Sequence, residues 1–498
     1  MSSNSSNYKS IFKATALLGS VQLFNIIISV VRNKVVSILL GPAGMGIVGL
    51  LQSTSIVIYS ISNCGLTSSA LKNISVAYEK NDPIKLGKVV YVIKRLLWIT
   101  GLIAVAICIS MSKQLSIWSF GNEDFTIPYC WLSVSLLLMQ LTNGNLMIIK
   151  CCRQLKMYAK ANVIGNFCSL FITIPLYFVW GVDAIVPVLV LLSLSTFVIS
   201  FFYVKKLNIK IQKVESFEFK EISLDIFKIG IAIAFAGLLP DCLAYYLRIF
   251  MSSHGGVEDV GYFAAGFAIL NTYVGMIFTA MSTDFIPRLS AVSDDNAACQ
   301  DTINKQIRIA AMILLPILTL FIVFSKLLVL ILYTEEFYPM IGMMMWGAVG
   351  CFIRSADWSM GNLFIPKRDT KVYLCLNYLS AAISIGLNIY CYILMGITGL
   401  GIAMIIFHLS NIVPCAIYMK WKYNIVYERD VILMNLFGIL FLIFLVLINS
   451  VFSISFELMI VINVIMIITV YIYSYMHLNK YMDLNIKSFI CRKIKNHK

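Results

Sequence analysis

This chain is short of charge. Asp, Glu, Lys and Arg make up 13% of its 498 residues against 60% hydrophobic ones, and mean hydropathy is +0.87. A soluble domain carries roughly a quarter charged residues, so a water-soluble globular fold is excluded and the chain reads as an integral membrane protein. Histidine is scarce too. The four present, His254, His408, His477 and His497, are dispersed along the chain, which argues against zinc chemistry. No phosphate-binding glycine loop, Gly-x-Ser-x-Gly or His-Glu-x-x-His occurs. ATP-driven pumping by this chain is therefore not expected, and no catalytic residue, cofactor or metal ligand is assigned. The thirteen cysteines include no Cys-x-x-Cys pair and only Cys151 and Cys152 are adjacent, so they read as small buried apolar residues.

What the chain does have is long apolar runs. Spanning a bilayer takes about 20 apolar residues, and fourteen runs qualify: 15–39, 47–71, 89–111, 127–149, 161–180, 184–204, 227–251, 262–286, 309–332, 340–364, 372–394, 397–419, 432–448 and 456–476. The polar stretch before the first run lacks a cleavage pattern, and that run carries Gln22, Asn25 and Arg32. It is read as a retained helix and not a signal peptide.

A net charge of +15 would fit a nucleic-acid partner, but its placement excludes one. With the N-terminus inside, about 33 of the 39 Lys and Arg fall in the tails and alternate loops of one side, as the positive-inside rule requires. The other connections are short and carry acids such as Glu123, Asp124, Asp183, Glu258 and Glu335. The expected fold is all-α and polytopic, with fourteen spans and both termini inside. It has an N-terminal lobe over 1–210, a C-terminal lobe over 211–425 and an extra helix pair over 426–498. The basic tail from Lys480 is expected to lie on the anionic inner leaflet or in solvent.

A duplication supports the two-lobe reading. Gly41-Pro-Ala-Gly-Met-Gly46 and Gly256-Val-Glu-Asp-Val-Gly261 each follow an apolar helix with a cation, Arg32 or Arg248. Each then leads into a second apolar helix and a mixed-charge segment. The copies lie about 215 residues apart, the scale of a duplicated half rather than a short repeat. Six helices per half makes the halves parallel repeats about an axis along the membrane normal, an arrangement of transporters with a substrate site between halves.

Few charges remain inside the spans: Arg32, Lys34, Asp241, Arg248, Asp284, Arg354 and Asp357. Each costs about 2.5–3.5 kcal/mol at a helix centre on insertion scales, so each needs a partner or a wet cavity. Arg354 and Asp357, three apart, could neutralise each other. Asp241 and Arg248 share a face and could form a structural network. Four of the seven are cations, and Arg32 and Arg248 come from equivalent helices of the two halves. A cationic cavity selects an anion, and the planar fork of Arg suits phosphate. Arg32, Arg248, Arg354 and Lys34 are therefore the candidate substrate-binding residues, Gln22 and Asn25 polar lining, and Asp241, Asp284 and Asp357 a charge or coupling network.

The segments Leu39-Leu-Gly-Pro-Ala-Gly-Met-Gly46, Tyr246-Leu-Arg-Ile-Phe250, Asp259-Val-Gly-Tyr-Phe263, Ile286-Pro-Arg-Leu-Ser290 and Gly361-Asn-Leu-Phe-Ile-Pro-Lys367 resemble those of the Wzx-type O-antigen flippases. These are polysaccharide biosynthesis transporters of the multidrug/oligosaccharidyl-lipid/polysaccharide exporter superfamily. The resemblance covers residues 13–423; many such flippases stop at twelve helices. It implies alternating-access transfer of an undecaprenyl-diphosphate-linked oligosaccharide from the cytoplasmic to the periplasmic leaflet of a bacterial inner membrane. Membrane lipids, a proton or sodium counter-ion and a glycan polymerase are the other partners expected. Two rival classes remain: a cation-coupled multidrug antiporter, whose cavity needs an excess of acids, and a membrane glycan polymerase, which needs a sizeable outer loop.

Overall fold

The structure, a computed structural model, describes residues 2–450 and 455–482, and within them every regular element is helical. The basic tail after residue 482 lies outside the described residues. In chain order the helices are α1 (Ser2–Asn63), α2 (Leu66–Glu79), α3 (Pro83–Ser110), α4 (Ser112–Phe120), α5 (Thr126–Cys151), α6 (Leu155–Trp180), α7 (Ile185–Lys205) and α8 (Ser216–Gly255). They continue with α9 (Val257–Ala268), α10 (Gly275–Ala291), α11 (Asn296–Val323), α12 (Ser325–Leu332), α13 (Ile341–Gly361), α14 (Thr370–Tyr423), α15 (Arg429–Ser450) and α16 (Phe456–Met482). A single π turn, Ile269–Val274, joins α9 to α10.

Ten helical segments are long and apolar enough to cross a membrane among the described residues, eleven with the bent pair inside α8. Their outer faces suit lipid: Phe178 is 78% exposed and Phe171 67%, which on a water-facing surface would be an aggregation hazard. Three of the segments run 40, 51 and 54 residues, about twice what a bilayer needs. Each contains a glycine at positive φ: Gly41, Gly181 and Gly396. At Gly41 (φ 62°) the following Pro42 also lacks the N–H that would continue the ladder, so the break is built into the sequence.

Some expected runs are divided. The run 47–71 breaks at Cys64 and Gly65, both at positive φ, between α1 and α2. The run 309–332 breaks at Phe324 between α11 and α12. That second break belongs to a structural repeat. Helices α3 and α11 are each 28 residues long and each starts on an aspartate cap: Asp82 accepts from the backbone of Ile84 (3.1 Å) and Lys85 (2.9 Å), and Asp295 from Ala297 (2.8 Å) and Ala298 (3.1 Å). A one-residue break and a short helix, α4 or α12, follow in both. The duplication is thus visible in local structure as well as in sequence.

The chain divides into two compact units, residues 1–261 with 331–336, and residues 262–330 with 337–498. The first unit has one apolar core around Ile93, Leu97 and Ile148 of α3 and α5, and another around Leu51, Leu132 and Val188 of α1, α5 and α7. The second is built on Phe285, Ile307, Leu363 and Met419. Lipid removes the hydrophobic drive between helices, so close approach at small residues and interhelical hydrogen bonds must hold them. In the first unit the two glycine motifs do this reciprocally. A Cβ on Gly46 would lie 1.9 Å from the Val257 carbonyl oxygen, and one on Gly261 would lie 2.0 Å from that of Pro42. Each glycine seats on the second residue of the other copy.

Candidate functional site

The seven charged residues of the spans fall into both units, four in the first, together with the neutral candidates Gln22 and Asn25, and three in the second. Arg32 is half-buried on α1, within electrostatic reach of the Tyr177 hydroxyl of α6. Arg248 is half-buried on α8, where Nη1 donates to the Ala244 carbonyl one turn back at 3.0 Å. Lys34 donates to the Tyr333 carbonyl. Asp241 accepts from the Ser60 hydroxyl at 2.6 Å, which ties α8 to α1. Gln22 is exposed, and Asn25 Oδ1 is buried with no hydrogen-bond partner among the described residues.

A chain of hydroxyls reinforces the α1–α8 contact. Thr54 meets the Tyr129 hydroxyl (3.1 Å), which donates to Ser119 (3.0 Å); Ser119 in turn meets the Tyr245 hydroxyl (2.8 Å). Ser252 donates to the Ser119 carbonyl at 2.7 Å. A second network centres on Gln140 of α5, which donates to Asn63 (3.1 Å) and Thr100 (2.7 Å). Hydrogen-bond networks of this kind tie packed helices together, although the Gln140 Oε1 is buried with no partner among the described residues. They fix the helices that carry Arg32, Asp241 and Arg248. A charged cavity of about 840 Å³ beside α2, α3 and α8 is lined by Lys72, Lys85, Lys88 and Lys228 but also by Asp82, Glu218, Glu221 and Asp225. An apolar groove of about 660 Å³ runs along Leu51, Phe125, Trp131 and Leu191.

In the second unit, Arg354 and Asp357 of α13 turn to different partners. Arg354 donates to Asn271 in the π turn at 3.2 Å, and its guanidinium lies 4.9 Å from the centre of the Phe278 ring. Asp357 is 2.7 Å from Nδ1 of His408 on α14. Asp284 pairs with Arg288 at 2.7 Å one turn on, both largely exposed, the geometry of a surface helix pair. Sequence reasoning missed His408, Ser60 and Asn271. His408 had a usable signal: it is an ionisable residue inside an apolar run, which by cost alone is a functional candidate. Ser60 and Asn271 had none, since single neutral polar residues are common in such spans.

The described residues thus form an all-helical fold with spans long and apolar enough to cross a membrane and a duplicated helix–glycine-turn unit. The fold is similar to an inward-facing multidrug resistance MATE family transporter of the MOP superfamily (TM-score 0.68, 14% identity, 81% of this chain and 94% of that one). It is also similar to the lipid II flippase MurJ in an inward closed conformation (TM-score 0.67, 12% identity, 95% and 99%). A third similar structure is a MOP superfamily transporter from Pyrococcus furiosus described as having reversed binding-pocket polarity (TM-score 0.57, 17% identity, 87% and 96%). No curated protein matches. Residues 35–342, more than half of the chain, match the family described as polysaccharide biosynthesis protein, and the chain belongs to that family. Its fold is the one seen in the MATE and MurJ transporter structures.

Proposed function

We propose that the protein is a flippase that moves an undecaprenyl-diphosphate-linked oligosaccharide, an O-antigen or similar polysaccharide repeat unit, from the cytoplasmic to the periplasmic leaflet of a bacterial inner membrane. In this reading it works by alternating access between lobes 1–210 and 211–425, with 426–498 an added helix pair. The diphosphate binds Arg32, Arg248 and Arg354, with Lys34 adding positive field and Gln22 and Asn25 hydrating the glycan path. The prenyl tail stays in lipid, because removing it would cost about 0.8 kcal/mol per methylene. An ion gradient drives the cycle, and glycan polymerase acts on the product.

The observation that carries this reading is membership of the polysaccharide biosynthesis family in a chain whose spans place an arginine before each glycine turn. The fold shared with a lipid II flippase over 95% of the chain supports it. The topology proposed is fourteen spans with both termini inside, which follows if the 40-, 51- and 54-residue segments each reverse at Gly41, Gly181 and Gly396.

The test is glycan display in cells lacking their own flippase. Wild type restores display, and Arg32→Ala combined with Arg248→Ala abolishes it at unchanged protein level, whereas the double Arg→Lys variant keeps part of it. Full display with the double alanine variant overturns the anion-site assignment.

A further inference from the structure

The buried His408–Asp357 pair is more than a structural tie. Its imidazole Nδ1 and carboxylate oxygen are 2.7 Å apart, with side chains 9% and 16% exposed. A carboxylate only accepts, so Nδ1 carries the shared hydrogen and the second ring nitrogen, Nε2, is left with no hydrogen-bond partner among the described residues. In that state the pair bears one net negative charge inside a bilayer. Uptake of one proton at Nε2 gives imidazolium beside carboxylate, with no net charge. Low dielectric makes the difference between those two states large.

The groups nearest the pair are thiols and a phenol. Cys415 of α14 and Tyr427, in the loop before α15, lie within electrostatic reach of Asp357. Both are neutral near pH 7 by chemistry, and burial pushes the Tyr427 hydroxyl up still further. Cys351 lies one turn before Arg354 on α13 and is also a buried thiol. Several charges on the other helices of this unit are engaged elsewhere: Lys305 with Asp301, Arg308 with Glu428 and Asp430, Asp284 with Arg288, and Lys422 with Asp369; Lys371, Lys420, Arg429 and Glu457 lie at the ends of their helices.

One charge is placed to compete. Arg354 sits three residues before Asp357 on the same helix, spacing at which two side chains can meet. It now holds Asn271 in the π turn instead, and π turns recur at functional sites.

We propose that His408 and Asp357 form the proton-binding site that couples transport to a proton gradient. Proton loading keeps Asp357 on His408 and leaves Arg354 on the π turn. Loss of the proton weakens the His408 hold, Arg354 turns to Asp357, and the π turn between α9 and α10 is released. This rests on the transporter reading above, and it names the proton as the driving ion.

The full-length protein with ¹⁵N-labelled histidine, purified in detergent micelles, offers a substrate-free test because only four histidines are present. The resonance lost in His408→Gln should titrate between about pH 5 and 8, with the proton of the neutral ring on Nδ1. Asp357→Ala should move that proton to Nε2 and displace the midpoint. In cells, glycan display by wild type should fall when a protonophore collapses the gradient, and Asp357→Asn should remove most display at normal protein level. If His408→Gln does not accumulate, the Asp357 variants carry both readouts. No titration of His408 over this range, an unmoved midpoint in Asp357→Ala, or wild-type display from both Asp357→Asn and His408→Gln overturns the site. Normal titration in a protein that fails to restore display at all leaves the proton site standing and overturns the flippase reading.

Discussion

At the scale of single residues, one site outside the spans has a definite pH dependence. Asp369, just before α14, accepts hydrogen bonds from Lys422, Tyr418 and Tyr423, each at 2.7 Å. The hydrogen bond from Lys422, followed by those from the two phenols, holds its carboxyl below the usual carboxylate range against the opposing effect of burial. A carboxylate with a depressed folded-state pKa stabilises the fold fully above its unfolded value of about 3.9, and the contribution disappears as pH falls through the folded value. Asp369→Asn should therefore lower the melting temperature of the detergent-solubilised protein at pH 7. The gap to wild type should close as the pH is taken below about 4. Thermal melts over that range check it; a gap that is constant with pH removes the charge from the explanation.

At the scale of elements, the glycine motifs were legible in sequence and their packing was not. The motif at Gly41–Gly46 and its copy at Gly256–Gly261 could be read as a repeat, but only coordinates place Gly46 on Val257 and Gly261 on Pro42. The reason is physical: a glycine states that a side chain is absent, without saying what fills the space. The same gap explains the intraspan charges. Their cost in lipid marks Arg354 and Asp357 as needing partners, yet their three-residue spacing equally allows a mutual pair. The choice of Asn271 and His408 depends on helix rotation, which periodicity leaves open when nearly every position is apolar. Spans were legible as apolar runs, and polar residues mark both breaks, Asn63, Gly65, Thr67 and Ser68 around Cys64–Gly65 and Ser325 and Lys326 after Phe324; whether a helix ends there or only bends was not legible. The close approach gives a prediction. Gly46→Ala and Gly261→Ala each force backbone apart and should cost about 1–3 kcal/mol or more, seen as lower melting temperature and reduced display. Gly237→Ala on α8 meets nothing within 4 Å and should be neutral or stabilising by up to about 1 kcal/mol. Equal effects at all three positions would dismiss the interlocked glycines as a structural device.

At the scale of the whole molecule, helix length decides the topology. A straight 40-residue helix is about 60 Å long at 1.5 Å per residue, twice the roughly 30 Å hydrocarbon core. The 51- and 54-residue segments exceed it further. Tilt cannot absorb a factor of two, whereas reversal at the positive-φ glycines Gly41, Gly181 and Gly396 can. Reversal changes the side on which every later loop emerges, so the two counts give different labelling patterns. With fourteen spans and the N-terminus inside, single cysteines replacing Asp124 and Glu457 in a cysteine-free background react with an impermeant maleimide added to intact cells. Cysteines replacing Lys213 and Asp294 react only after permeabilisation. If α1 crossed the membrane once, Asp124→Cys would move to the inside set. Protection of that position in intact cells would therefore rule out the reversal at Gly41, and with it the equivalence of the helices that carry Arg32 and Arg248.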